Sequence, residues 1–441
     1  MRNQLTFEYI LTPAGIEANR TLTFDEAGVI VSIETARVRE ADGYFALPGL
    51  PNAHSHSFQR AMSGFAEAGG GGESFWTWRE LMYDMAARIT PEQMYDVARL
   101  AFYEMLKGGF TSVGEFHYLH HLPDGTASPE MGDAVIRAAR DTGIRLALLP
   151  VFYQTGDFGK PALEAQARFV HDTPEQFLEL LGALEVRPSG IAPHSLRAVP
   201  LECLTELLEC CAEALGEDFP VHMHICEQRQ EVESCIAHYG KPPIELLGST
   251  VTLDDRWSLI HATHAAPGEV ELLIKSQVNV VLCPITEAYL GDGFFPAADY
   301  VAGGGKIAVG SDSNVRIDGI EELRWLEFGQ RLRSERRSQL ATEQGLGVPL
   351  WQQVCETGAS ALGVNAGALR PGCLADVVVI GRSPLSQIDP SRLPDALIVG
   401  GSGSNIGDVY VGGRKLIDAG GFSGAAEVES AFSDTMKTLL S

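Results

Sequence analysis

The chain has 441 residues, 45% hydrophobic and 21% charged, a balance typical of a globular protein with a large buried core. Its formal net charge of −25 repels nucleic-acid phosphates and anionic lipid headgroups, so we expect neither as a partner. The eight cysteines form no CxxC pair, and neither a signal-peptide pattern nor a long apolar run is visible, which predicts a cytoplasmic protein with reduced thiols and no membrane span.

Both ends of the chain are rich in β-branched and aromatic residues, which favour strands. Short strands are predicted within residues 1–48, one further strand is predicted over residues 374–380, and residues 409–417 are predicted to form a strand, a glycine turn and a second strand. We therefore expect residues 1–48 and 367–420 to meet in a composite β-sandwich module. A C-terminal helix is expected over residues 421–441.

The middle of the chain, residues 49–366, alternates apolar runs with helical patterns, which is typical of a parallel sheet. The candidate strands are residues 45–53, 110–116, 144–152, 188–193, 219–225, 257–262, 277–283 and 305–311. The clearest helix follows Thr90, which with Gln93 makes a capping box, and ends at Gly108-Gly109.

Eight strand–helix units predict an α/β protein built as a (β/α)8 TIM-like barrel, with the active site where the strand C-termini meet the following loops. A doubly wound open sheet is the alternative, but no GxGxxG motif follows the first strand. A glycine run over residues 68–74 lies in the loop after the first strand, where it would be either a surface loop or a lid over the pocket.

The first barrel strand ends in His54-Ser55-His56. Side chains at positions i and i+2 lie on the same side of a strand, so both imidazoles are expected to face the barrel interior at its catalytic rim. Neutral imidazole is a good zinc ligand. Such a pair alone is also compatible with two hydrogen-bonded polar histidines.

The fifth strand ends in a second histidine pair, His222-Met223-His224, followed by Glu227. His224 is the candidate ligand because Glu227 would then stand on the adjoining loop near the metal. His222 is expected one layer deeper, in a packing or supporting role.

The sixth and eighth strands each end in a further polar residue. His261 would be a metal ligand or a base beside the bound water, whereas His264 is expected on the next turn in a structural role. Asp312 ends the eighth strand, where a carboxylate can both contact a metal and pass a proton. Four strand ends of one barrel thus converge on histidines and an aspartate, which indicates a metal-dependent enzyme.

These motifs resemble those of the amidohydrolase superfamily in its one-metal deaminase branch, and the resemblance covers nearly the whole chain. It implies one zinc ion per chain, with the ligands His54, His56, His224 and Asp312. The two-metal branch uses a bridging lysine from a middle strand, and the third and fourth predicted strands contain no lysine.

The resemblance also implies a reaction, in which the zinc activates a water molecule that displaces ammonia from a small substrate. His261 and Asp312 would move the proton of this water, and Glu227 would orient the nitrogen that leaves. A homodimer is usual in the superfamily and is therefore expected.

A narrower resemblance lies in residues 52–62, 75–79, 113–118 and 192–197, which are similar to the formimidoylglutamate deiminases. These enzymes convert N-formimino-L-glutamate and water to N-formyl-L-glutamate and ammonia in histidine degradation. The substrate-contacting residues that this resemblance implies, besides Glu227, are Gln59, Arg79, Tyr118, His194 and Arg197.

The charge of the chain agrees with an anionic substrate of this kind. Formiminoglutamate has two carboxylates, so a protein with a net charge of −25 has to present cations locally to bind it. Arg79 and Arg197 are suited to this because a guanidinium binds a carboxylate through two parallel hydrogen bonds, although each is also compatible with a surface salt bridge.

Two other functions stay open at this stage. The first is another deaminase of the superfamily, of the guanine or adenosine type, or a chlorohydrolase-like relative. The second is a non-catalytic barrel that serves as an assembly scaffold, but such proteins usually lack the metal ligands that this sequence contains.

Overall fold

The structure is a computed structural model that describes residues 3–36, 41–65, 67 and 75–439. The predicted loop or lid over residues 68–74 lies outside the described residues. The strands are, in chain order, β1 Gln4–Thr12, β2 Gly15–Phe24, β3 Ile30–Thr35, β4 Gly43–Pro48, β5 Leu50–Ser55, β6 Phe110–His117, β7 Arg145–Phe152, β8 Thr155–Asp157, β9 Lys160–Pro161, β10 Ala192–Pro193, β11 Val221–Ile225, β12 Trp257–His261, β13 Asn279–Leu282, β14 Lys306–Val309, β15 Val377–Ile380, β16 Ile406–Val411, β17 Arg414–Asp418 and β18 Gly421–Phe422.

Eight parallel strands form a closed barrel. Two four-stranded sheets, in the orders β5-β6-β7-β10 and β11-β12-β13-β14, make up its halves. Parallel bridges between Ile191 and Val221 and between Ser55 and Asp312 join the halves on both sides. Each strand lies within or overlaps a predicted one, and the predicted (β/α)8 fold is confirmed.

Helices alternate with these strands and cover the outside of the barrel. They are α1 Phe75–Ala86, α2 Pro91–Lys107, α3 Glu130–Thr142, α4 Pro174–Ala183, α5 Leu201–Leu215, α6 Arg229–Tyr239, α7 Pro243–Thr250, α8 Pro267–Ser276, α9 Pro284–Leu290, α10 Ala297–Ala302, α11 Gly319–Ser334, α12 Gly347–Ala361, α13 Leu393–Gly400 and α14 Ala425–Leu439. Short 3-10 turns occur at Ser57–Met62, Glu164–Gln166, Pro384–Gln387, Pro390–Arg392 and Gly403–Asn405. No helix among the described residues is long and apolar enough to cross a membrane.

Helix α2 begins as its sequence predicts. The Thr90 hydroxyl accepts a hydrogen bond from the backbone N–H of Gln93, and the Gln93 side chain accepts one from the backbone N–H of Thr90. The helix ends at Gly108, and Gly109 follows with a φ of +90°, a conformation that favours glycine. The two signals together set the length of this helix.

The two ends of the chain form one continuous sheet in the order β18-β17-β16-β15-β4-β1-β2-β3. The sheet folds back on itself, because Ile30 N–H donates to the Cys373 carbonyl and Ala375 N–H to the Gly28 carbonyl. A small apolar core fills the fold and includes the fully buried side chain of Phe7. The sandwich expected from the sequence is therefore made of a single folded sheet.

This sheet holds the beginning of the first barrel strand, β5, in place. Strand β4 leads into β5 within two residues, and the Trp351 indole donates to the Pro48 carbonyl at the junction, at 2.9 Å. A second link joins barrel strand β7 to the end sheet. Arg145 of β7 forms an ion pair at 3.0 Å with Asp376, which directly precedes β15 and whose carboxylate is almost completely buried. The end sheet and the barrel are thus tied together beneath the strand that carries His54 and His56.

Candidate metal centre and active site

The first and last barrel strands meet at the rim of the barrel. Asp312 N–H donates to the His54 carbonyl at 3.0 Å, and His56 N–H donates to the Asp312 carbonyl at 2.9 Å. Gly310 permits this approach, since a Cβ atom there would lie 2.7 Å from the His54 carbonyl oxygen. The two predicted metal-binding segments are therefore locked to each other through the backbone.

A buried asparagine supports the same junction. The side-chain amide of Asn314 donates to Ser55 Oγ at 3.1 Å and to the carbonyls of His56 and Asp312 at 3.0 Å each. Asp312 and Asn314 have φ values of +46° and +56°, a left-handed backbone that non-glycine residues rarely adopt. The hydrogen bonds of Asn314 help to hold Asp312 in this conformation.

Donor atoms of His54, His56, His224 and Asp312 lie close to one another at the rim. His224 Nε2 lies 3.1 Å from His54 Nε2 and 3.3 Å from His56 Nε2. Asp312 Oδ1 lies 3.5 Å from His54 Nε2 and 3.4 Å from His56 Nε2. Ligands about 2.0–2.1 Å from a tetrahedral zinc ion lie about 3.3 Å from one another, so these spacings fit such an ion.

The three imidazoles are neutral, as metal ligands have to be, and two of them are oriented by backbone carbonyls. Nδ1 of His56 contacts the Phe116 carbonyl at 2.9 Å and Nδ1 of His224 contacts the His194 carbonyl at 3.2 Å. A carbonyl only accepts, so each Nδ1 carries the proton and each Nε2 presents a lone pair. Burial lowers the pKa of His54 to about 3 and also lowers the pKa values of His56 and His224.

His261 lies beside this group of donors. Its Nε2 atom is 3.7 Å from Asp312 Oδ2 and 3.8 Å from Glu227 Oε1, while its Nδ1 atom is 3.2 Å from Glu287 Oε1. Burial opposes protonation of His261, but the three carboxylates outweigh it and raise its pKa to about 10. These carboxylates therefore favour the protonated form of His261, whose Nδ1 atom donates to Glu287.

A second set of four donors is also close enough to hold a metal ion. It contains His261 in place of His56, since His54, His224, His261 and Asp312 lie within 4.8 Å of one another. His56 and His261 are the alternatives for the fourth ligand. We favour His56, because its Nε2 distances of 3.3 and 3.4 Å match a tetrahedral edge more closely than the 3.7 Å between His261 and Asp312.

The site opens into one pocket at the barrel mouth. All five residues expected to contact the substrate line it: Gln59, Arg79, Tyr118, His194 and Arg197. The expected catalytic residues line it as well: Glu227, His261 and Asp312. Residues scattered over more than 250 positions of the sequence are thus brought to one cavity, which both arginines line together with His56, His224 and Asp312.

Sequence reasoning missed the buried carboxylates that support the site. Glu287 contacts His261, and Glu115 accepts hydrogen bonds from Ser55 Oγ at 2.8 Å and from the Ser57 backbone at 2.7 Å. These two serines flank His56. Burial raises the pKa of Glu115 to about 7, which its three serine hydrogen bonds only partly oppose. The sequence offered one signal for Glu115, a carboxylate within an apolar strand, and none for Glu287 in helix α9.

The two other histidines discussed from the sequence lie outside the donor group. His222 is completely buried, and its Nε2 atom donates to the Ala361 carbonyl at 2.7 Å at the inner side of the barrel. His264 is half-buried on the turn after β12, where its backbone N–H donates to the Cys226 carbonyl. All eight cysteines are free thiols.

A sequence model of the amidohydrolase family matches residues 45–416. The chain belongs to the amidohydrolase family. This amidohydrolase is 42% identical to a formimidoylglutamate deiminase of Pseudomonas aeruginosa, over 98% of each chain.

Solved structures show the same fold. An amidohydrolase from Brucella melitensis superposes with a TM-score of 0.93 at 39% identity over 100% of both chains. An adenosine deaminase from Xanthomonas campestris with bound zinc superposes with a TM-score of 0.80 at 24% identity, covering 99% of this amidohydrolase and 98% of that chain.

Proposed function

We propose that this amidohydrolase hydrolyses N-formimino-L-glutamate to N-formyl-L-glutamate and ammonia, a step of histidine degradation. The observation that carries the proposal is the pocket, which presents Arg79 and Arg197 beside the metal-binding group in a protein of net charge −25. Two guanidinium groups suit a substrate with two carboxylates. The similarity to the deiminase of Pseudomonas aeruginosa supports the same substrate.

A deaminase acting on a neutral ring is the second candidate. The adenosine deaminase from Xanthomonas campestris shares the fold, but at 24% identity it is more distant than the deiminase at 42%. A neutral purine also has less need of two arginines in the pocket.

We further propose one zinc ion per chain, held by His54, His56, His224 and Asp312. Three neutral imidazoles and a carboxylate support this set, because His224 lies 3.1 and 3.3 Å and Asp312 3.5 and 3.4 Å from His54 and His56. The zinc in the adenosine deaminase of the same fold supports the choice of metal. When bound, such an ion acts as a Lewis acid and provides a nucleophilic water at neutral pH.

The two oxygens of Asp312 suit a second role in moving a proton. Oδ1 faces the imidazoles of His54 and His56, whereas Oδ2 faces His261. We propose that Asp312 takes a proton from the water as its oxygen bonds to the formimino carbon. The imino nitrogen receives this proton and becomes an amino group on a tetrahedral carbon that also carries the new hydroxyl. The proton of that hydroxyl then passes to the amino nitrogen as the formyl carbonyl forms, the bond between the carbon and this nitrogen breaks, and the nitrogen leaves as ammonia.

His261 and Glu227 would hold the reacting groups in place. His261, protonated and fixed by Glu287, would donate a hydrogen bond to the attacking oxygen. Glu227 lies within 3.8 Å of His261 and lines the pocket, so it would hold the nitrogen that leaves. Charge-assisted hydrogen bonds of this kind orient the substrate for attack.

Gln59 and Tyr118 would add a neutral hydrogen-bond donor. Gln59 Nε2 donates to the Tyr118 hydroxyl oxygen at 2.7 Å, and the ring of Tyr118 lies 4.9 Å from that of His56. Its oxygen accepts from Gln59 and its proton is directed at the Met82 sulfur, at 3.7 Å. Since a thioether is a weak acceptor, this proton would turn to a substrate near the metal. His194 lines the same wall beside His224.

Ammonia release from a small panel of substrates tests the function. We expect release from N-formimino-L-glutamate, little or none from guanine or adenosine, and loss of activity after treatment with a chelator. Release from adenosine or guanine without release from formiminoglutamate would overturn the proposal. Elemental analysis of the active protein gives the metal and its stoichiometry.

The assembly and location of the enzyme belong to the same proposal. We expect a homodimer in the cytoplasm that binds no nucleic acid, as the resemblance and the charge of −25 imply. Light scattering after size-exclusion chromatography measures the oligomeric state, and a single 47.6 kDa species would contradict the dimer.

A further inference from the structure

The outer wall of the pocket contains a buried amide between two phenols. Gln166 is completely buried, and its Nε2 atom donates to the hydroxyl oxygens of Tyr83 at 2.9 Å and Tyr153 at 2.6 Å. Its Oε1 atom accepts from the backbone N–H of Leu163 at 2.8 Å. Since a backbone N–H only donates, this last bond fixes which end of the amide faces the phenols.

The two hydroxyl oxygens therefore accept hydrogen bonds from Gln166, and each hydroxyl can still donate its own proton to another acceptor. At most one of these protons can be used in a hydrogen bond between Tyr83 and Tyr153. No hydrogen bond from either hydroxyl to another group is found among the described residues. Both tyrosines line the pocket, so at least one phenol proton is available to a bound ligand.

The same wall is positively charged. The guanidinium carbon of Arg79 lies 5.6 Å from the ring centre of Tyr83. Burial raises the pKa of Tyr153, while the charges of Arg197 and Arg79 oppose that rise, so both arginines act on this phenol. Cations beside neutral hydroxyl donors make up a surface that binds carboxylates.

Ring contacts lead from the metal-binding group through His194 to the phenol of Tyr153. The ring centres of His224 and His194 are 4.9 Å apart, and those of His194 and Tyr153 are 4.7 Å apart. In N-formimino-L-glutamate the side-chain carboxylate is farther from the formimino carbon than the α-carboxylate is. The outer wall therefore matches the side-chain carboxylate.

We propose that Tyr83 and Tyr153, held by Gln166, form a subsite for the side-chain carboxylate of the substrate. The inference rests on the proposed function and adds the residues that select for this acid. Gln166 is a positioning residue, because it acts through the phenols and is not among the residues that line the pocket.

Substitution of the phenols tests the subsite with two matched substrates. Tyr83→Phe and Tyr153→Phe are expected to lower kcat/KM for N-formimino-L-glutamate about 10- to 100-fold, as expected for loss of a hydrogen bond to a charged group. With N-formimino-L-glutamine, whose side-chain carboxylate is an amide, we expect a change of less than about 3-fold by the same reasoning. Equal losses with both substrates, or no loss with either, would remove the phenols from carboxylate recognition.

Tyr95→Phe is the control for loss of a hydroxyl. The Tyr95 hydroxyl donates to Asp141 at 2.6 Å on the outer surface, so this variant should match the parent protein with both substrates. Metal content and the thermal unfolding midpoint of each variant show whether a loss of activity comes from unfolding.

Gln166→Met separates positioning from a structural role. Methionine fills a similar volume but donates no hydrogen bond, so KM for the diacid should rise while kcat changes less. The KM of the amide substrate should stay near that of the parent protein. A lower unfolding midpoint with equal losses for both substrates would mean that Gln166 serves the fold alone.

Product binding distinguishes failure of the subsite from failure of the proposed function. Calorimetric titration of the metal-loaded protein with N-formyl-L-glutamate and N-formyl-L-glutamine needs no turnover. If the protein is inactive on formiminoglutamate but binds the diacid more tightly through Tyr83 and Tyr153, the function is wrong and the subsite stands. If turnover occurs and the two phenylalanine variants keep the preference for the diacid, the subsite is wrong and the function stands.

Discussion

Oδ2 of Asp312 lies 3.7 Å from Nε2 of His261, on the side of the carboxylate opposite to the metal-binding imidazoles. Asp312 therefore faces His54 and His56 with one oxygen and His261 with the other. This arrangement lets a single carboxylate bind the metal and pass a proton without a large movement.

Asp312→Asn should retain part of the bound metal and lose nearly all turnover. The amide oxygen of asparagine can still contact a metal, but the side chain no longer accepts a proton at neutral pH. We expect kcat to fall by at least about 10²- to 10⁴-fold, the usual contribution of general acid–base catalysis. Steady-state ammonia release together with elemental analysis checks this. Full activity in the variant would contradict a proton-transfer role.

Glu287→Gln should lower kcat about 10- to 100-fold, the usual effect of losing the partner that orients a functional histidine. The variant removes one of the carboxylates that raise the pKa of His261 and weakens the hydrogen bond to its Nδ1 atom. KM should change little, because Glu287 does not line the pocket. Glu343→Gln, at an exposed position, is the matched control. A rise in KM with unchanged kcat would show that Glu287 acts on substrate binding instead.

The activity should rise with pH through about 7 because of Glu227. Burial is the main cause that raises the pKa of this carboxyl from 4.5 to about 7, so it is neutral below pH 7 and ionised above. The proposed role in holding the nitrogen that leaves requires the ionised form. The profile of kcat/KM against pH should therefore lose its acidic limb in Glu227→Gln, and an unchanged limb would assign the titration to another group.

Arg197→Met should raise KM for the diacid far more than KM for a substrate whose carboxylates are amides. Arg197 is buried in the pocket wall, where its charge would attract a carboxylate with little screening. Loss of a charge-assisted contact of this kind corresponds to about 10- to 100-fold in KM. Initial-rate measurements with both substrates decide the matter, and equal increases would remove Arg197 from carboxylate recognition.

The sequence was sufficient to predict the barrel and the polar residues that lie at its rim. Apolar runs that alternate with amphipathic helices predict the parallel strands, and polar residues at strand ends, such as His54 and Asp312, stand out from the runs that precede them. The rim of a barrel gathers all strand ends, so these residues had to converge. The side-chain period is two residues in a strand and 3.6 residues in a helix, so short stretches of sequence are enough to predict these elements.

The supporting contacts had no such signal. Asn314 bonds to the carbonyl of His56, 258 positions away, and Glu115 bonds to Ser57, 58 positions away. Which buried polar groups meet depends on how the strand ends turn in space, including the left-handed backbone at Asp312. The choice between His56 and His261 as the fourth ligand likewise rests on differences of a few tenths of an ångström between donor atoms.

The position of the metal tests the central claim most directly. Crystals of the metal-loaded protein, measured on both sides of the absorption edge of zinc, locate the ion by its anomalous scattering. We predict one ion bound by His54, His56, His224 and Asp312, with His261 next to it but not bound. An ion bound elsewhere, or bound without His56, would contradict this account of the site.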